Sequence, residues 1–245
     1  LGIEREAIDL YLDSEVIDLN LDSFIWTRVF GYDLREPHDG GLLGHRFYSQ
    51  VDFPRVLEAR MGGGTWVITT NPARAAPERA AVFRYNLREL LSVFAGVEEQ
   101  FAVVRTTAEY RAARAAGKHG AFIGVQGGNA FDGEADALDR IPDLPGRAGD
   151  VPVLIRVTLV HLSSSTFGAT SSPLRGGGDP GLTDAGREMV QQLEARKIFC
   201  DLAHVSKKGF WDAVEVHDRS QPLLVTHTGV SGVFGPNATG PDGHT

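Results

Sequence analysis

The chain has 245 residues, of which 42% are hydrophobic and 23% are charged, as is typical of a soluble globular domain and not of a disordered or fibrous chain. Its formal net charge is −8 and it has no basic block, which argues against nucleic acid and anionic membranes as partners because both need clustered Lys and Arg. Cys200 is the only cysteine, which excludes an intrachain disulfide and a thiolate metal cluster, so any metal must use His, carboxylate or amide ligands.

Six buried strands are predicted from short apolar, β-branched runs. In chain order they are Val16–Asn20, Thr65–Thr70, Ala121–Gln126, Leu154–His161, Ile198–His204 and Leu223–His227, with Phe101–Val104 as a further short candidate. Helical periodicity lies between them at Pro54–Arg60, Pro77–Phe94, Ala108–Ala116, Thr183–Arg196 and Lys207–Val216, with Thr183 and Ser206 as N-caps. This alternation predicts βαβ units and a parallel sheet.

A closed barrel of this kind needs eight strands, whereas six are found by residue 227. We therefore expect one domain over residues 1–245, a (β/α)8 TIM-barrel-like fold with about six of its eight strands present and its C-terminal end missing. No apolar run approaches the roughly 18 to 20 residues that cross a bilayer. The chain begins at Leu1 and not at Met, so a lost N-terminal signal is the alternative to the favoured cytoplasmic location.

Polar residues fall at the C-terminal ends of the predicted strands, which is where barrel enzymes build their active sites. They are Asn20 and Asp22 after the first strand, and then Gln126, His161, His204 and His227. Six such placements on five separate strands predict that these side chains gather at one end of the sheet.

A lone histidine at a strand end is more often hydrogen-bonded to a neighbouring carbonyl than a metal ligand. His204 and His227, however, are one βα unit apart, so their imidazoles should converge as a zinc-binding pair, with Zn–N bonds of about 2.0–2.1 Å. Asp22 alone is as readily a helix N-cap or turn residue as a metal ligand. Because side chains alternate along a strand, Asn20 and Asp22 share one face and can grip one ion together.

Several stretches, in order along nearly the whole chain, resemble the renal (membrane) dipeptidase family. The strand that ends Asp18-Leu19-Asn20-Leu21-Asp22 resembles that family's His-x-Asp strand, with Asn in place of His. The other stretches are Val51 to Arg55, Arg156 to His161, Gly181 to Thr183 with Gly186, Asp201 to Ser206, and Pro222 to His227. This combination of spaced motifs is more specific than any one of them.

The resemblance implies a zinc-dependent metallopeptidase, a hydrolase that acts in proteolysis by cleaving the peptide bond of dipeptides with metal-activated water. By position, Asn20 and Asp22 would face a first ion. Gln126 would replace the glutamate that bridges two ions, and His204 with His227 would hold the second. His161 matches a histidine that contacts the substrate, so His161 and Asp22 are the expected catalytic residues. A homodimer is left open.

Two positions depart from the family pattern. Asn20 offers an amide where imidazole is expected, and Gln126 offers a neutral amide where the family has a bridging carboxylate. Two dications close together repel strongly unless negative ligands lie between them. We therefore expect one or two zinc ions, with the His204 and His227 site favoured over the Asn20 and Asp22 site. The family's substrate-binding arginine and its last acidic residue find no counterpart within residues 229–245.

Three functions follow from these observations. The leading one is a zinc dipeptidase-like hydrolase whose substrate is a small dipeptide. The first alternative is a barrel that has lost catalysis and is retained as a binding or structural protein, which the changes at Asn20 and Gln126 would favour if they are isolated. The second is a metal-dependent hydrolase of another amide or of a lactone, because the fold alone does not fix the substrate.

Overall fold

A computed structural model describes residues 2–38, 50–71, 74–134, 136–144, 152–172 and 178–228. Its helices are α1 Arg5–Asp13, α2 Phe24–Phe30, α3 Phe53–Glu58, α4 Ala76–Ala95, α5 Thr107–Ala115, α6 Asp184–Ala195 and α7 Lys207–Val216. Its strands are β1 Ile17–Leu21, β2 Gly63–Thr69, β3 Phe101–Val103, β4 His119–Gln126, β5 Leu154–Thr158 and β6 Phe199–Asp201, and a short 3-10 helix covers Gly128–Phe131. Helices and strands alternate as predicted.

All six strands pair in parallel, in the order β1-β2-β4-β5-β6, with β3 attached to β4. β2 runs along β4 from Gly63 to Thr69, whereas β3 pairs with the first part of β4 and β5 with its second part. The curled parallel sheet is part of a TIM barrel, and it brings the C-terminal ends of the strands to one side.

The last predicted strand, Leu223–His227, is wrong as a strand. Only Leu224 joins the sheet, through a parallel bridge to Asp201 and backbone hydrogen bonds of 2.8 and 2.9 Å to Leu202 and Cys200. Two predicted strands are also too long, because β5 ends at Thr158 and β6 at Asp201. His204 and His227 have φ values of 65° and 37°, which no β-strand accommodates.

Two helices were missed by the sequence pattern. α1 buries none of its residues, so no core face distinguished it. α2 ends at Phe30, and the next residue, Gly31, has a φ of 68° and is a left-handed C-cap, a signal that could have located the end of the helix. The predicted N-caps Thr183 and Ser206 are confirmed, since their side chains accept hydrogen bonds from Gly186 and Gly209.

The core fills the space between the sheet and its covering helices. Every residue of β2 is buried, as expected for a parallel strand that is covered on both faces. Aromatic rings pack around Trp66, with ring centroids 5.3 Å from Phe53 and 5.5 Å from Phe94. In the described part of the chain, none of the helices combines the length and apolar character that a membrane crossing requires.

Candidate functional site

Three histidines occupy equivalent places on neighbouring parts of the sheet. Thr158, Asp201 and Leu224 pair side by side across β5, β6 and the following bridge. His161, His204 and His227 each come three residues after one of these paired positions. The equal offset carries the three imidazoles to the same end and the same level, so they form one group, which we call the histidine cluster.

The rings of the histidine cluster converge. The Nε2 atoms of His204 and His227 lie 2.8 Å apart, and the ring centroids of His161 and His204 are 4.8 Å apart. Two nitrogen lone pairs this close repel each other unless a proton or a cation lies between them. Two ligands of one tetrahedral zinc are about 3 to 4 Å apart, so a small outward rotation would let both rings bind one ion.

Asn20 and Gln126 lie beside the histidine cluster, and Arg156 fixes how their amides point. The guanidinium of Arg156 donates from Nη2 to Asn20 across 2.6 Å, and because a guanidinium only donates, the receiving atom is Oδ1. Asn20 Nδ2 then donates to Gln126 Oε1 over 3.0 Å. Both amide oxygens are therefore engaged within the protein.

The remaining amide group of Gln126 faces the cluster. Its Nε2 atom lies 3.0 Å from His161 Nε2 and 3.3 Å from His227 Nε2. Since this NH2 group donates, both ring nitrogens accept, which places the proton of each ring on Nδ1. For His227, that Nδ1 lies 2.8 Å from Thr226 Oγ1. The Nε2 lone pairs thus point to the centre, as zinc ligation by Nε2 requires.

Arg156 is buried under the site with a set of polar partners. It forms an ion pair with Asp201, and its Nη1 donates to Thr226 Oγ1 at 2.8 Å. Thr226 in turn donates to Asp201 Oδ2 at 2.7 Å. Burial alone would raise the pKa of Asp201, but Arg156 and Thr226 outweigh it and hold that pKa below its usual range. Sequence reasoning missed this trio, although a lone Arg in a buried strand is itself a signal.

The cluster is held in its neutral form. Burial, followed by the neighbouring rings of His204 and His227, lowers the pKa of His161 to about 4. Burial also lowers the pKa values of His204 and His227. Neutral imidazole is the form that binds a metal ion.

Asp22 lies apart from the cluster. Its carboxylate accepts a hydrogen bond from the hydroxyl of Thr69, at the end of β2. Burial raises the pKa of Asp22 to about 6, against the opposing effects of Thr69 and Arg28. Asp18 accepts a hydrogen bond from the backbone N–H of Asn20, at 2.7 Å. Within the described residues, Asp22 does not form a compact ligand group with His204 and His227.

The residues fit one zinc ion at His204 and His227 better than a second ion beside Asn20. The two imidazoles present converging Nε2 atoms, whereas Asn20 Oδ1 faces a guanidinium that would repel a dication. A different compact group of possible ligands, Glu194, His217 and Asp218, lies at the C-terminal ends of α6 and α7. That end is opposite to the histidine cluster, and the carboxylate of Glu194 is already bonded to His217 and to the backbone of Asp218.

Comparison with known proteins identifies the family of this chain. A model of the membrane dipeptidase family (peptidase family M19) matches residues 4–242. The chain belongs to this family. Membrane dipeptidases are metallopeptidases with a TIM-barrel fold, so the partial barrel and the hydrolase class predicted from the sequence agree with the family.

Two solved structures and one curated relative illustrate the similarity. A metallo peptidase from Rhodobacter sphaeroides, liganded with a phosphinate mimic of the dipeptide L-Ala-D-Ala, is 25% identical, with a TM-score of 0.69 over 86% of this chain and 64% of that one. The metallo peptidase dipeptidase AC is 26% identical, with a TM-score of 0.68 over 86% of this chain and 62% of that one. An uncharacterized protein in the pqqA 5' region of Klebsiella pneumoniae is 41% identical over 49 residues, 20% of this chain and 17% of that protein. The chain therefore spans less than two thirds of each of these proteins.

Proposed function

We propose that this membrane dipeptidase family member is a zinc-dependent hydrolase that binds one ion between His204 and His227 and cleaves the peptide bond of dipeptides. The observation that carries the proposal is the convergence of the two Nε2 atoms, 2.8 Å apart, at the C-terminal end of the sheet. The likeness to metallopeptidases over residues 4–242 supports it.

The chain's own residues have separate tasks in this proposal. A zinc ion held there would supply Lewis-acid chemistry and would lower the pKa of water towards neutrality. Gln126 holds the Nε2 lone pairs of His161 and His227 towards the centre. His161 orients the substrate carbonyl, because its ring contacts that of His204 and also lines an adjoining cavity. Asp22, whose carboxylate accepts a hydrogen bond from Thr69 on the wall of that cavity, is assigned as a proton-handling group.

Loss of catalysis is the second candidate, and one observation favours it. Asn20 Oδ1 and Gln126 Oε1 are both bound internally, so two histidines are the ligands that the arrangement presents. Catalytic zinc sites usually have three protein ligands and water. Under this alternative, the barrel binds a metal or a peptide without hydrolysing it.

Zinc content and dipeptide hydrolysis by the whole chain test the proposal. We expect one tightly bound zinc per chain, lost in His204→Ala together with hydrolysis. The matched control is His217→Asn, which keeps a donor towards Glu194 and should retain both zinc and activity. Loss of zinc in His217→Asn but not in His204→Ala would mean that the ion binds at the Glu194, His217 and Asp218 group instead. Zinc retained without hydrolysis of any dipeptide would favour the second candidate, and two tight ions would contradict the one-ion site.

A further inference from the structure

The cavity next to the histidine cluster contains two arginines. It has a volume of about 610 Å³ and extends from His161 towards α2 and α4. Ile25, Val29, Val82 and Tyr85 form its apolar walls, and Arg28 and Arg74 supply its positive charge. A mostly apolar cavity with a few charged groups is the usual form of a small-molecule site.

Arg28 has most of its hydrogen-bonding capacity free. Its Nη1 donates to the backbone oxygen of Thr69 at 2.6 Å, which anchors the guanidinium to the end of β2. Among the described residues, no carboxylate comes within ion-pair distance of it. A guanidinium has five N–H donors, so several remain for a ligand. Arg28 is therefore held in place by a backbone oxygen, and the nearby charge of Asp22 offsets its own charge without forming an ion pair with it.

Arg74 also has unsatisfied hydrogen-bonding capacity. Its Nε atom is buried and has no hydrogen-bond partner among the described residues. Its Nη1 is 3.6 Å from Glu78, and that carboxylate is 65% exposed, so water screens the pair. The two guanidiniums also repel each other, since Arg74 contributes to lowering the pKa of Arg28 after the larger effect of burial. An anion between them would relieve both the repulsion and the buried unpaired Nε.

We propose that Arg28 and Arg74 form a carboxylate subsite that selects short amide substrates with a free terminal carboxylate. Planar guanidinium forks match the geometry of carboxylates and can bind them through paired hydrogen bonds. His161, a member of the histidine cluster, lies on the wall of the same cavity, and its ring contacts that of His204. A dipeptide anchored by its carboxylate would extend along the apolar wall and direct its amide bond towards that cluster.

This inference rests on the proposed function for its substrate, but its test needs no hydrolysis. The probes are L-alanyl-L-alanine and its C-terminal amide, titrated into the metal-free whole chain and followed by NMR. Because charge-assisted hydrogen bonds each contribute substantially, we expect the free acid to bind at least about tenfold more tightly than the amide.

Variants assign the effect to the two arginines. Arg28→Gln and Arg74→Gln should each weaken binding of the free acid towards that of the amide, while leaving the amide unchanged. The matched control is Arg88→Gln, which removes the same charge from an exposed position on α4. Thermal unfolding checks that each variant is folded, and Arg28→Lys keeps the charge should Arg28→Gln fail to fold.

Several results would contradict the carboxylate subsite. Equal affinity for acid and amide, no binding of the acid, or loss of binding in Arg88→Gln as well would overturn the subsite. Binding of the acid that depends on Arg28 and Arg74, without any hydrolysis of the zinc-loaded chain, would leave the subsite standing and refute the proposed hydrolase.

Discussion

The two ends of β4 place polar side chains in opposite kinds of surroundings. His119 begins the strand and is 1% exposed. Its Nε2 accepts from Trp66 Nε1 at 3.2 Å, and its Nδ1 lies 3.0 Å from the backbone oxygen of Met61. Because indole only donates, the ring is neutral with its proton on Nδ1, and both nitrogens are satisfied within the core.

Gln126 ends the same strand beside two histidines of the cluster. Its two neighbours His161 and His227 have Nε2 lone pairs directed at a shared centre, and His227 is exposed. Histidine is therefore buried with both ring nitrogens bonded at the N-terminal end of the sheet, whereas His161 and His227 at the C-terminal end direct their Nε2 atoms to a shared centre. The difference teaches that polar groups at the N-terminal end of the sheet, the closed end, satisfy one another within the core, whereas Gln126 at the C-terminal end, the open end, also holds ring nitrogens towards a shared centre.

The largest expected loss of stability comes from Arg156, which is buried beneath the open end of the sheet. Arg156→Met removes the partner of the buried carboxylate of Asp201, and breaking a buried ion pair costs about 3–5 kcal/mol. Urea unfolding of the whole chain measures this loss. Arg88→Met, at an exposed position on α4, should stay within about 0.5 kcal/mol of the unaltered protein. A loss below 1 kcal/mol in Arg156→Met would mean that Asp201 is rescued by water.

His119, at the closed end of the sheet, should make the free energy of unfolding depend on pH. Burial lowers the pKa of His119 to about 4, although the bond to Met61 opposes this and Arg114 adds to it. The unfolded chain takes up the proton near pH 6.5. The stabilisation is thus fully present above pH 6.5 and is lost as the pH falls from there towards 4, on the order of 3 kcal/mol in all.

Unfolding free energies at pH 7 and pH 4.5 check this, because their difference should be clearly smaller in His119→Gln than in the unaltered chain. Asp22 does not mimic the effect, since its raised pKa makes folding stronger at low pH. An identical pH dependence in both proteins would show that the ring of His119 is not the group responsible.

A smaller loss is expected from Thr226→Val. The change keeps the shape of the side chain but removes the hydroxyl that bonds Asp201, Arg156 and His227. Leaving such partners unsatisfied costs about 1–3 kcal/mol. Thr226→Ser should restore the stability, and ring ¹⁵N chemical shifts should report a single Nδ1–H tautomer of His227 in the unaltered chain and a mixture in Thr226→Val. A unique tautomer in both would show that Gln126 alone orients the ring.

The smallest effect concerns the backbone at His204, whose φ of 65° is left-handed. Glycine adopts this conformation freely, whereas a side chain pays about 1 kcal/mol. His204→Gly should therefore be more stable than His204→Ala by about 1 kcal/mol, measured by thermal unfolding, although both variants lose the imidazole. Equal stability would imply that the loop relaxes once the ring is gone.

The sequence predicted most of the sheet, because buried parallel strands are short apolar runs that flanking helices separate. It failed at Leu223–His227, where apolar composition resembles a strand but the left-handed His227 turns the chain. It also missed α1, which has no buried face. That residues 1–245 form one domain remains a prediction.

For the site, strand-end position was enough to gather Asn20, Gln126 and the three histidines. What the sequence could not give is the direction of each amide, because Asn and Gln offer an oxygen and an NH2 group with nearly equal shape. That direction depends on Arg156, which is 136 residues from Asn20 along the chain. The zinc ligands, the roles of Asp22 and His161, and the cytoplasmic location stay predictions.

The single thiol, Cys200, can report local opening of the sheet through its rate of chemical labelling. Cys200 is fully buried in β6, and burial raises its pKa well above the usual range. Only an opened strand would expose it to a thiol reagent, so the rate of labelling reports how often β6 separates from its neighbours. His204 follows four residues later. Zinc held there would slow the labelling of Cys200, because a ligand that binds only the closed form shifts the opening equilibrium.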